Sequence, residues 1–171
     1  MKHHAIQLYD YHIWANNRFF ERLKDLPTNV YTQEVQSVFS SIAETFVHMY
    51  TTETIYLGVM RENSMDEIQS SIILEHEKSK DKSLEEMEVL YAEQVKLYKA
   101  LFNSQKDMDK PITAEHPTYG RLETYLSEIV QHLVNHGTYH RGNLTAMIRQ
   151  QGYPSVPTDY IMYLYEIQAK G

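Results

Sequence analysis

The sequence predicts an all-α protein, an antiparallel four-helix bundle with a short C-terminal helix and long connecting loops. Three observations lead there. Apolar residues recur at helical spacing in four long stretches. Strand-like alternation is nearly absent. Capping boxes and Gly/Pro stops bracket the stretches. The 171 residues suit one domain, 1–171, with no internal repeat, low-complexity tract or inter-domain linker.

The first helix is expected over about 3–25, with Leu8, His12, Ala15, Phe19 and Leu26 on one face and Pro27 as its stop. The second opens at Ser41-Ile-Ala-Glu44, read as a capping box, and runs to about Arg61 on a stripe of Ile42, Phe46, Met49, Tyr56 and Met60. A second box, Ser83-Leu-Glu-Glu86, opens the third, which carries Leu84, Met87, Leu90, Tyr91, Val95, Tyr98 and Leu101. The fourth spans about 124–151 and stops at Gly152 and Pro154. A short fifth helix, about 158–168, follows two prolines. Residues 62–82 and 104–123 read as long loops, the later one with a small hairpin around Pro111-Ile-Thr and Tyr119-Gly-Arg-Leu.

Composition narrows the function. There is no cysteine, which excludes disulfides, thiolate metal ligands and a cysteine nucleophile. The formal charge is −7 with no block of lysine and arginine, which argues against nucleic acid as the main partner. No stretch approaches the roughly 18 apolar residues of a membrane span. The first residues lack the apolar run of a signal peptide, so a cytoplasmic location is expected. Most of the 14 tyrosines read as core-edge packing.

The chemistry concentrates in the fourth helix. His132, His136 and His140 are spaced by four, and residues four apart on a helix are stacked neighbours that can close on one metal ion. At about 100° per residue, His140 lies roughly 30°, His136 roughly 70° and His132 roughly 110° from the centre of the Leu126, Ile129, Val130, Leu133, Leu144, Met147 and Ile148 stripe. His136 and His140 therefore turn toward the core, with His132 at its flank. The alternative is a pair of core histidines bonded to carbonyls or tyrosine hydroxyls. A three-ligand site needs one more donor from a facing helix, and both His12 and His48 qualify. Phase slightly favours His12, while His48 shares an uncharged face with Ser41, Thr45, Thr52, Ile55 and Val59. Periodicity leaves the choice open.

The segment His132-Leu-Val-Asn-His-Gly-Thr-Tyr-His-Arg-Gly-Asn143 resembles the C-terminal signature of the DinB-like (DinB/YfiT) family of metal-binding four-helix bundles. Asp10-Tyr-His-Ile-Trp-Ala-Asn16, the run from Ser40 to His48, Gln151-Gly-Tyr-Pro and Thr158-Asp-Tyr160 resemble further family segments in the same order. The resemblance implies a facial site of His48, His136 and His140, completed by water, and a homodimer. The family usually has glutamine after His-Arg-Gly, where this chain has Asn143. By phase Asn143 falls on the side of His136, where its amide can orient a ligand or bound water.

Among the neighbours, Arg141 is expected in a structural ion pair, with Asp159 as candidate partner, and Gly137 marks a close approach of a neighbouring helix. Glu53 reads first as an ion-pair residue at the bundle edge. Glu53 and His12 are the candidates for a catalytic proton carrier or histidine orienter. Trp14 reads as packing, His3 and His4 as solvated, and His76 and His116 as loop residues.

Three neutral imidazoles suit a divalent transition metal, zinc or nickel first. The resemblance implies a metal-dependent thiol S-transferase using a low-molecular-weight thiol such as bacillithiol. Two alternatives are a metal-dependent hydrolase of a small substrate and a non-catalytic metal-binding stress protein.

Overall fold

A computed structural model describes residues 2–169. In order the elements are α1 (His4–Lys24), a single 3-10 turn (Thr28–Tyr31), α2 (Ile42–Met60), α3 (Met65–Ser79), α4 (Leu84–Ser104), β1 (Pro111–His116), β2 (Gly120–Tyr125), α5 (Leu126–Gln150) and α6 (Tyr160–Ala169). The protein is mostly helical, with one small antiparallel hairpin in register Ile112↔Thr124 and Ala114↔Leu122.

The helix ends follow local chemistry. α4 opens with the predicted box, in which Ser83 Oγ accepts from Glu86 N and the Glu86 carboxylate accepts from Ser83 N. At α2 only half of the predicted box forms. Ser41 Oγ accepts from Glu44 N, but the Glu44 carboxylate takes the N–H of Ser40 instead. α5 closes in a Schellman arrangement: Tyr153 N donates to Ile148 O, Gly152 N donates to Arg149 O, and Gly152 adopts φ +87°. At the start of α1, His3 Nδ1 accepts from Ala5 N, so His3 is a cap rather than a solvated side chain.

Residues 62–82 hold a helix where a loop was expected. α3 is announced by Ser64-x-x-Glu67, a complete capping box. Its apolar pattern is weak because Ile73 and Leu74 face solvent and only Ile68 of its apolar residues is buried. His76 therefore lies on a helix, while His116 ends β1.

α3 changes the topology. The core divides into two apolar clusters. One holds Tyr9 and Ala15 of α1, Leu57 and Met60 of α2, Tyr98 and Phe102 of α4, and Leu126 to Val134 of α5. The other holds Phe19 and Phe20, Phe46 and Met49, Met87 and Leu90, and Leu144 to Ile148 of the same four helices. α1 and α5 thus run in one direction, and α2 and α4 in the other. These helices touch in the cycle α1–α5–α2–α4. Two of the contacts, α1 with α5 and α2 with α4, are parallel, which corrects the all-antiparallel expectation. The 15 residues of α3 rise about 22 Å at 1.5 Å each, enough to return the chain to the end where α2 began.

A polar layer separates the clusters. Each of the four helices contributes: His12 and Asn16 from α1, Glu53 from α2, Gln94 from α4 and Arg141 from α5, all buried. His136 and His140 lie between Val134 and Leu144, the α5 residues that bound the two clusters.

Candidate metal centre

His48 on α2 faces His136 and His140 on α5. One ring nitrogen of each lies within 4.8 Å of the others, the only such histidine or carboxylate group among the described residues. Ring centroids are 4.4 Å apart for His136–His140, 4.6 Å for His48–His140 and 5.3 Å for His48–His136. Helix geometry produces this. His136 and His140 stack one turn apart on α5, and the antiparallel contact with α2 brings His48 across from them.

Burial follows the predicted phase order. His140 is 4% exposed, His136 is half-buried and His132 is exposed. His132 packs instead against Tyr56, at 4.7 Å between ring centroids, and stands 6.3 Å from His136. Tyr56 was expected in the core stripe of its helix, but it is half-buried beside His132.

The cluster is built to stay uncharged. Burial, followed by the fields of His140, His48, His132 and His12, lowers the His136 pKa to about 3. Burial and His48 lower that of His140 to about 4, and burial lowers that of His48. Lone pairs are therefore available at neutral pH. His136 Nε2 and His140 Nε2 are 3.0 Å apart. Two nitrogens bound at 2.0–2.1 Å to one ion lie about 2.9 Å apart at a right angle and about 3.4 Å apart at the tetrahedral angle. The donor set, and the spacing of the His136–His140 pair, fit a divalent transition metal.

Asn143 is placed on His140 rather than beside His136, with its side-chain amide 3.3 Å from His140 Nδ1. A histidine that coordinates through Nε2 carries its proton on Nδ1; Asn143 Nδ2 is the atom nearest Nδ1 here, and the amide would support a coordinating ring by turning over to present Oδ1 as acceptor. Phe39 covers the other side, with ring centroids 4.7 Å from His48 and 5.6 Å from His140. Sequence reasoning missed Phe39. Its signal was a lone aromatic inside the polar run 32–41. A pocket of about 720 Å³ opens beside His48, lined by Phe39, Val47, Thr51, His76 and Lys80 among others.

His12 is not part of the cluster. It is 1% exposed, with Nε2 2.9 Å from Glu53 Oε1 and Nδ1 3.1 Å from Arg141 Nη1. Glu53 is 3% exposed and hydrogen-bonded to His12, so a buried hydrogen bond stands in place of the bundle-edge ion pair expected for it. Arg141 is 1% exposed and bonded to His12, Asn16 and Thr138, with no ion pair to Asp159. Trp14 is more than packing: Nε1 donates to Glu166 of α6, which also holds Arg18. Gly137 marks the expected close approach, since a Cβ there would lie 2.3 Å from His12 Cε1.

No helix among the described residues is long and apolar enough to cross a membrane. The DinB family profile matches residues 1–170. The chain is similar to Protein DinB of Bacillus subtilis (strain 168), at 40% identity over 165 residues that cover 96% of each chain.

Proposed function

The chain belongs to the DinB family, and from that premise we propose that it is a cytoplasmic, homodimeric metal-dependent thiol S-transferase. His48, His136 and His140 are its metal ligands, and zinc or nickel is the ion. The domain spans 1–171 and is the family's four-helix bundle, formed here by α1, α2, α4 and α5. The observation that carries the reading is the convergence of three uncharged imidazoles, two with Nε2 atoms 3.0 Å apart.

When bound, the ion is a Lewis acid that lowers the pKa of a thiol in its open position. The protein's own residues supply the rest. Burial keeps the imidazoles unprotonated, Asn143 orients His140, and Phe39 shields two of the rings. The pocket beside His48 has the volume of a small-molecule site and would receive a thiol such as bacillithiol and its electrophile. Glu53 and His12 are held by each other and by Arg141, which favours a supporting role over proton transfer to substrate.

The test is metal content and thiol consumption by the purified wild type and by His136→Ala. About one ion per chain and thiol transfer in the wild type, both lost in the variant, supports the transferase. Metal without thiol consumption removes the transferase and leaves the hydrolase or a non-catalytic metal protein. A wild type that takes up no zinc or nickel removes the metal site itself.

A further inference from the structure

His12 sits on α1, a helix that contributes no member of the three-histidine cluster, yet it touches both helices that do. On α5 it meets the residue after each cluster member. Gly137, which follows His136, has no side chain, and the His12 ring fills the space a Cβ would need, 2.3 Å from Cε1 and 2.6 Å from Nδ1. Arg141, which follows His140, places Nη1 3.1 Å from His12 Nδ1. On α2 the contact is Glu53, whose Oε1 is 2.9 Å from His12 Nε2.

The proton positions follow from the partners. Arginine only donates, so Nδ1 accepts from Arg141 and the ring proton is on Nε2, where it is given to Glu53; Asn16 Nδ2 lies against the same Nε2 at 3.0 Å, a further contact within α1. Arg141 carries two more bonds, to Asn16 Oδ1 at 2.9 Å and Thr138 Oγ1 at 2.8 Å. Tyr98 donates to the Glu53 carbonyl oxygen at 2.6 Å, which fixes that turn of α2 against α4. Every contact of the imidazole is buried and directional. A slide or rotation of α5 against α2 would break at least one of them and leave a buried polar group without its partner, which is costly.

We infer that His12 is a positioning residue: held between Glu53 and Arg141, it sets the spacing and rotation of the two helices that carry His48, His136 and His140. The inference rests on the metal reading above and gives a role to the two residues that reading leaves unused. Glu53 reaches α1 through His12 and Arg141 reaches it through His12 and Asn16, and neither side chain is hydrogen-bonded to His48, His136 or His140.

Cobalt(II) titration of the full-length metal-free protein, followed by visible absorption, tests it beside thermal unfolding. Gly137→Ala forces a methyl group into the His12 ring, and Arg141→Met removes its bond from α5. Each is expected to weaken cobalt binding by about tenfold or more, as loss of supporting contacts does at metal sites, and to change the ligand-field bands. Leu126→Ala is the control, since it removes a fully buried side chain from the same helix far from His12; it should lower the melting temperature and leave the bands unchanged. Should Gly137→Ala not fold, Arg141→Met decides. Wild-type affinity and bands in the variants would overturn the inference, as would an equal change in Leu126→Ala. A wild type that binds no cobalt overturns the metal reading, and this inference with it.

Discussion

His136 and His140 aim their Nε2 atoms at one another across 3.0 Å, with a third imidazole facing the pair. Nitrogen lone pairs that face each other repel unless a proton or an ion lies between them. A bound ion satisfies all three rings at once, so metal should stabilise the fold. At one hundred times Kd the gain is about 2.7 kcal/mol, or roughly 5–10 °C in Tm for a chain of this size. Differential scanning fluorimetry with and without zinc reads this directly. His140→Ala should abolish the shift, whereas His132→Ala, which removes the ring that packs on Tyr56, should keep it. A shift that depends on His132 and not on His140 would move the site one turn along α5.

The same cluster sets a pH dependence in the metal-free protein. In the folded chain His136 and His140 hold their pKa values near 3 and 4, below the ordinary 6.5. Between those limits the unfolded chain binds more protons, so stability is complete above about pH 6.5 and is lost as pH falls toward 4. Urea midpoints in the presence of a chelator should therefore drop from pH 7.5 to pH 5. His136→Asn should flatten that slope. A midpoint that is level over this range in the wild type would contradict the assignment.

Asn143 offers a finer test. Its amide reaches His140 Nδ1 at 3.3 Å although its side chain is one methylene shorter than the family's usual glutamine. Removing it leaves the ring free to turn. Asn143→Ala should weaken metal binding by about tenfold with little change in the stability of the metal-free chain. If isothermal titration gives equal affinities, His140 is oriented by packing alone, with Phe39 and Tyr139 as the neighbours responsible.

How far the site was legible depended on how local the signal was. The burial order of His140, His136 and His132 follows from helix phase alone, and the folded chain keeps it. The choice between His48 and His12 did not, because both lie on faces that a helix can bury. What separates them is tertiary: His48 faces α5, whereas His12 is claimed by Glu53 and Arg141. Those three come from three helices, so no spacing along the chain reveals them. Gly137 gave half of the answer by marking a close approach without naming the ring that makes it. α3 had a start signal in Ser64 and Glu67 but no clear apolar stripe, since Ile73 and Leu74 point to water. Its omission hid the parallel course of α2 and α4.

The end of α2 carries the last prediction. Glu62 adopts φ 59°, and the turn closes with Asn63 N donating to Gly58 O and Glu62 N to Val59 O. Glycine is the usual residue at this position because a Cβ in the left-handed region costs about 1–2 kcal/mol. Glu62 recovers part of that through an exposed ion pair with Lys110 at 2.7 Å, a contact worth about 0–1 kcal/mol. Glycine also loses roughly 0.4–1 kcal/mol through the greater freedom of the unfolded chain. The strain is the larger quantity, so Glu62→Gly should match or exceed wild-type stability by up to about 1 kcal/mol, or roughly 2–4 °C. Glu62→Ala keeps the strain and loses the ion pair, so it should fall below wild type. Glu62→Val adds β-branching at a position where a branched side chain fits worst, and should fall further. Thermal melts of the three variants check the order Gly, Ala, Val. A valine variant as stable as the glycine one would mean that the turn relaxes out of the left-handed region when the side chain changes.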